Sequence, residues 1–181
     1  AYSEEDTIYI NNNAFPMLRQ QEKTDTNEYL SLSDYIAPKS SNKKDYLGAF
    51  AVTAGAGTEY LLNKYRSTGD EHSALVLESL FHVLAEGATE WLHQKVRKEY
   101  WGYASNEELT IPALFAAKYS GIRATVGSAM LPDSAININL HNMLQADEIY
   151  ISVDDKGKMS PAASLAGFFF AHPAAKQSTI G

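Results

Sequence analysis

From Asp70 to Lys98 runs DEHSALVLESLFHVLAEGATEWLHQKVRK, the stretch that most constrains the fold. Leu77, Leu80, Phe81, Leu84, Ala88, Trp91, Leu92 and Val96 recur there at helical spacing. Thr68 and Glu71 have capping-box spacing, with Asp70 as an alternative N-cap. Lys95, Arg97 and Lys98 place positive charge where the helix dipole favours it, and Gly102 supplies a stop. The spacing predicts one amphipathic helix of about 28 residues, near residues 70–99, close to the upper length for a globular domain. An apolar stripe on such a helix ordinarily faces the core.

Around it the pattern is mixed. DTIYI alternates as a short strand, and YLGAFAVTAGAG reads as a buried strand with a glycine-rich exit at Gly55 and Gly57. NEYLSLSDYIAP places Leu30, Leu32 and Ile36 before a proline stop, and KSSNKKD reads as an exposed loop. A short helix is expected after Pro112, through ALFAAKY, and another in DSAININLHNML. EIYISV and SLAGFFFAH are strand candidates, with DDKGK between them as a turn. Strand runs beside one long helix, without regular alternation, indicate an α+β fold.

The 181 residues suit a single domain, and a hydrophobic fraction of 45% is enough for a core. A net charge of −7 argues against a nucleic-acid or anionic-membrane surface. With no cysteine there is no disulfide, thiol nucleophile or thiolate metal site, which fits a reducing compartment such as the cytoplasm. No apolar run is long enough to span a bilayer, and no signal peptide is visible.

His82, Glu86, Glu90 and His93 lie along one side of the long helix, where a metal site is conceivable but a solvated polar face is the commoner outcome. His72, His141 and His172 have no triad partners in sequence, so no catalytic residue is assigned. EYWGY and GFFFAH could line a pocket, although such aromatics are usually core. GIRATVGSAMLPD, residues 121–133, has a turn-like character, with Arg123 between Gly121 and Gly127. A guanidinium there can grip a carboxylate with two hydrogen bonds while glycine lets backbone amides approach a ligand.

Three blocks carry a family resemblance. LSDYIAPKSSNKKDYLGAFAVT (32–53) and LAEGATEWLHQKVRKEYWGYASNEEL (84–109) resemble signatures of the activation domain of cobalamin-dependent methionine synthase. KYSGIR, then Gly127, then GFFFAHP (167–173) follow in the family's order. The resemblance implies a bent antiparallel sheet flanked by helices. It also implies a single activation-like domain over 1–181 that lacks the family's N-terminal helical part and extreme C-terminus. The implied job is to bind S-adenosylmethionine for reductive remethylation of cobalamin, the cobalamin being held by a partner module and the electron coming from a flavodoxin-type donor. The whole enzyme is a methyltransferase of methionine biosynthesis. By the same resemblance Arg123 would hold the ligand's carboxylate, and the backbone around Thr125 and Gly127 its polar groups. Glu86 aligns with an acidic residue near the ligand.

The match departs at Ser128, where the family has tyrosine, and at Gln177 and Ser178, where it tends to have tyrosines beside the ligand. Losing two aromatic faces against a sulfonium would weaken binding. A divergent paralogue that keeps the fold, has lost S-adenosylmethionine binding and serves as an interaction or other small-molecule module is therefore the alternative. Docking of an acidic electron donor would need a basic patch, from Lys39, Lys43, Lys44 or the Lys95–Lys98 region.

Overall fold

The structure, a computed structural model, describes residues 1–21 and 28–175. In chain order the strands and helices are β1 (Tyr2–Glu4), β2 (Thr7–Ile10), β3 (Asn13–Pro16), β4 (Gly48–Thr53), α1 (Glu59–Ser67) and α2 (Glu71–Lys95). There follow α3 (Ile111–Phe115), β5 (Ile122–Thr125), α4 (Ile136–Leu144), β6 (Ser152–Val153), β7 (Met159–Ser160) and β8 (Ser164–Phe170). Mixed helices and antiparallel strand pairs make this an α+β fold, as the pattern predicts. The chain divides into two units: Ala1–Gly48, Val96–Asp133 and Phe168–Gly181 form the first, and Ala49–Lys95 with Ser134–Gly167 the second.

In the first unit β1, β2 and β3 form an antiparallel meander in which Ser3 faces Ile8 and Ile8 faces Phe15 across the strands. All three are buried, as period-2 alternation requires of one sheet face. Ser3 keeps its polar groups satisfied: its hydroxyl donates to the Ile36 carbonyl at 2.9 Å and its amide to Ala37 at 3.0 Å. Phe168 meets the Phe15 ring edge-on at 5.1 Å, and Phe168, Phe169 and Phe170 are all buried, so GFFFAH is core. The segment after Leu30 makes a short 3-10 turn, Leu32–Tyr35, closed by a Ser31–Asp34 capping box.

Arg19 ties this region together. Its guanidinium grips Asp34 with two hydrogen bonds of 2.8 and 2.9 Å and reaches Asp6 at 2.5 Å. Burial would raise the Asp34 carboxyl, but hydrogen bonds from Arg19 and the Ser31 amide outweigh it and hold the group below the usual carboxylate range. A folded-state pKa below the unfolded one stabilises the protein at neutral pH, and that stability is lost as pH falls through the folded value. Asp34→Asn is therefore expected to lower the urea midpoint near neutral pH, and the difference to shrink as pH falls through the carboxyl's lowered folded-state value. A difference that persisted unchanged in acid would show that the charge is not what matters.

In the second unit Asp70 caps α2, its carboxylate accepting from the Ser73 amide at 3.0 Å. Thr68 instead closes α1, a helix not anticipated from sequence, by donating to the Tyr65 carbonyl at 2.9 Å. α2 has 25 residues and runs on into a π-helical turn at Val96–Tyr100, where the Trp101 amide reaches back to Val96 at 3.0 Å. Gly102, at φ +73°, ends it as expected. The predicted core stripe is corrected. Ala74, Ala85, Thr89 and His93 are the buried positions of α2, while Leu80, Leu84 and Trp91 are more than half exposed. Apolar residues occupy nearly the whole circumference, so periodicity could not say which arc turns inward. β4 is more open than its sequence suggests, with only Phe50 buried. The Ala54 amide just past β4 donates to Ala163, which precedes β8, at 3.0 Å. EIYISV yields only the two-residue β6, which pairs antiparallel with β7 around the DDKGK turn.

Candidate functional site

The stretch read as a loop begins as strand β5, a correction that sets the geometry of the site. Ile122 and Ala124 are buried to within 2% of full enclosure, while Arg123 and Thr125 are half-buried. Strand alternation therefore puts Arg123 and Thr125 on one face, about 6–7 Å apart along the backbone, with the apolar pair anchoring the other. A strand holds a guanidinium more firmly than a free loop would.

The turn after β5 is closed by its own backbone. Gly127 donates its amide to Leu131 at 2.8 Å, Ser128 to Thr125 at 3.1 Å, and Leu131 to Ser128 at 3.0 Å. Gly127 sits at φ +89° with open space where a side chain would start, so a ligand can approach the backbone there. Leu131 is buried and pins the turn's far end.

Behind β5 stands a buried scaffold whose roles sequence reasoning did not assign. Arg97 is fully buried, and its Nε and Nη2 donate to the Glu107 carboxylate at 2.8–3.1 Å. Its guanidinium also lies 4.1 Å from the centre of the Tyr119 ring. Arg97 is thus a buried, paired charge, and within the Lys95–Lys98 region it cannot contribute to a basic docking patch. Tyr103 packs edge-on to Trp101 at 5.6 Å, and its hydroxyl lies against Gly121. Burial pushes the Tyr103 phenol up to about 12, so it stays protonated at neutral pH. The one sequence signal for this scaffold was the density of aromatic and charged residues between Val96 and Tyr119.

Arg123, Thr125 and Gly127 are thus brought together in the first unit, whereas Glu86 is exposed on α2 in the second. Gln177 and Ser178 lie outside the described residues. His82 and Glu86 are exposed while His93 is fully buried, so the expected solvated face is broken at its end. Among the described residues no group of three His, Asp or Glu side chains could hold a metal ion. Two clefts are formed elsewhere: one of about 610 Å³ beside Ser3, Asp34 and Lys39, and one of about 700 Å³ beside Arg66, Glu78 and Lys158. Neither is lined by Arg123. No helix among the described residues is long and apolar enough to cross a membrane.

Comparison with known proteins agrees with this fold. The family described as vitamin B12 dependent methionine synthase, activation domain, matches residues 1–181. The crystal structure of the MetH reactivation domain bound to AdoHcy superposes with a TM-score of 0.85 at 34% sequence identity. That match covers 98% of this chain and 55% of the solved one, so the chain spans little more than half the length of that relative. This chain belongs to the activation-domain family of vitamin B12-dependent methionine synthase.

Proposed function

We propose that this chain binds S-adenosylmethionine through the outward face of β5 and the turn after it, serving reductive remethylation of cobalamin in a methionine synthase. The observation that carries the reading is the alternation at Ile122–Thr125, which presents Arg123 and Thr125 side by side above a buried anchor. The relative bound to AdoHcy supports the ligand class. The residues present suit an amino-acid carboxylate: Arg123 offers paired donors, and Gly127 leaves its backbone open to approach. When bound, S-adenosylmethionine supplies a transferable methyl group. This chain's part is to fix the ligand's orientation, a contribution of proximity. Thr125 would steady the polar groups next to the carboxylate.

Calorimetric titration of S-adenosylmethionine into the intact protein tests this. Arg123→Ala is expected to remove about 2–3 kcal/mol, a weakening of roughly 30- to 160-fold. Binding by the parent that the substitution leaves unchanged would take Arg123 out of the site. A folded parent that binds nothing would favour the paralogue reading, which Ser128 motivates by standing where an aromatic face is missing.

The cobalamin belongs to a partner module, and the electron donor is of the flavodoxin type, in the cytoplasm. Of the basic residues considered for docking, Lys39 is paired with Glu4 at 3.2 Å, whereas Lys43 and Lys44 are exposed and better placed. Reversing both charges is expected to slow donor-coupled activation, more so at low salt. Unchanged rates at every ionic strength would remove them from the contact.

A further inference from the structure

Gly121 leads into β5 two residues before Arg123 and has no side chain to fix that entry. Its φ of +80° lies in the left-handed region, which glycine enters and leaves at little cost. The walls that hold it must therefore come from neighbours. One is the carbonyl of Phe170, a residue buried in the core. The other is the Tyr103 hydroxyl, 2.8 Å from the point where a Cβ would stand.

Tyr103 is itself held from both sides. Before it the Trp101 and Gly102 amides donate to the Val96 carbonyl at 3.0 and 3.1 Å, and after it the Ala104 amide donates to the Arg97 carbonyl at 2.9 Å. Its ring packs edge-on against Trp101. Arg97 in turn is fixed by Glu107 and by the face of Tyr119. These contacts make one continuous path from the buried ion pair through Tyr103 and Gly121 to β5, all within the first unit.

We propose that Tyr103 is a positioning residue for ligand binding: its hydroxyl closes the second wall of Gly121 and so fixes the direction in which β5 presents Arg123. A shift at Gly121 is carried by the backbone over the roughly 6–7 Å to Arg123. Two parallel hydrogen bonds to a carboxylate tolerate little misalignment. The effect on ligand rests on the reading of β5 given above and extends it to a residue that acts through Arg123.

Tyr103→Phe in the intact protein keeps the ring against Trp101 and removes only the hydroxyl. Calorimetric titration would compare S-adenosylmethionine with its decarboxylated form, which keeps the sulfonium and adenosine but gives Arg123 nothing to grip. Affinity for S-adenosylmethionine is expected to fall about fivefold, the scale of one lost hydrogen bond, while affinity for the decarboxylated form changes by less than about twofold. Equal losses for both ligands, or no loss for either, overturn the proposal. Amide hydrogen exchange without ligand separates it from the reading of the site. The protected amides within Ile122–Thr125 are expected to exchange at least about fivefold faster in the variant, with those of β2 and β3 within about twofold of the parent. Exchange unchanged at β5, or accelerated alike in both places, overturns the proposal even where the parent binds S-adenosylmethionine. A parent that binds neither ligand while β5 alone is loosened removes the ligand reading and supports the hold of Tyr103 on Arg123.

Discussion

Gly121→Ala is expected to abolish cooperative unfolding of the first unit under conditions where the parent is folded. Gly121 sits at φ +80°, and an added Cβ would lie 2.3 Å from the Phe170 carbonyl oxygen and 2.8 Å from the Tyr103 hydroxyl. The backbone strain alone is about 1–2 kcal/mol. The contact with a core carbonyl adds more, because Phe170 is buried and cannot move aside. Together they approach the whole stability of an ordinary domain, about 5–15 kcal/mol. Circular dichroism through a thermal ramp would show it, and a loss below about 1 kcal/mol would mean the backbone relaxes freely there. Gly127→Ala is the matched control: a similar positive φ, but open space around the new Cβ, and so only the strain. Because Arg123 follows Gly121 by two residues, S-adenosylmethionine binding should fail together with the fold.

The second large effect lies in the Arg97–Glu107 pair. Both side chains are at least 93% buried, so neither is strongly screened by water. Glu107→Leu would leave a guanidinium buried without its carboxylate, a loss of about 3–5 kcal/mol. Arg97→Met would strand the carboxylate and also remove the contact with the Tyr119 face. The double substitution should be less damaging than either single one, since replacing a whole buried pair with apolar groups is often close to neutral. Denaturant unfolding of the four proteins gives the coupling directly. Additive losses would show that the pair contributes no more than its packing.

These two predictions rest on features that sequence reading could reach only in part. The existence of α2 was legible, because Asp70, the helical recurrence of its apolar residues and Gly102 are signals that act within a turn or two. The meander's DTIYI strand, the DDKGK turn and the buried GFFFAH strand were legible for the same reason. Arg123 was legible as a candidate through its setting between two glycines and the family pattern, yet its element was misjudged. β5 has only four residues, too few for alternation to stand out against flanking turn residues.

Other features needed the folded chain. The arc of α2 that turns inward is the one with Ala74, Ala85, Thr89 and His93, and no periodicity distinguishes it from the opposite arc. Arg97 looks like any helix-end cation until Glu107, ten residues later, is brought back against it. The glycine at 121 looks like a turn residue until the Phe170 carbonyl, 49 positions away, closes over it. By itself the sequence determined the helices and strands with strong local signals, the absence of thiol chemistry and the family resemblance, because these depend on residues near one another in the chain. Only the tertiary structure decided which faces are buried and which charge is paired. It also decided that Arg123 stands on a rigid strand, because burial and pairing depend on residues that are distant in sequence and meet only when the chain has folded.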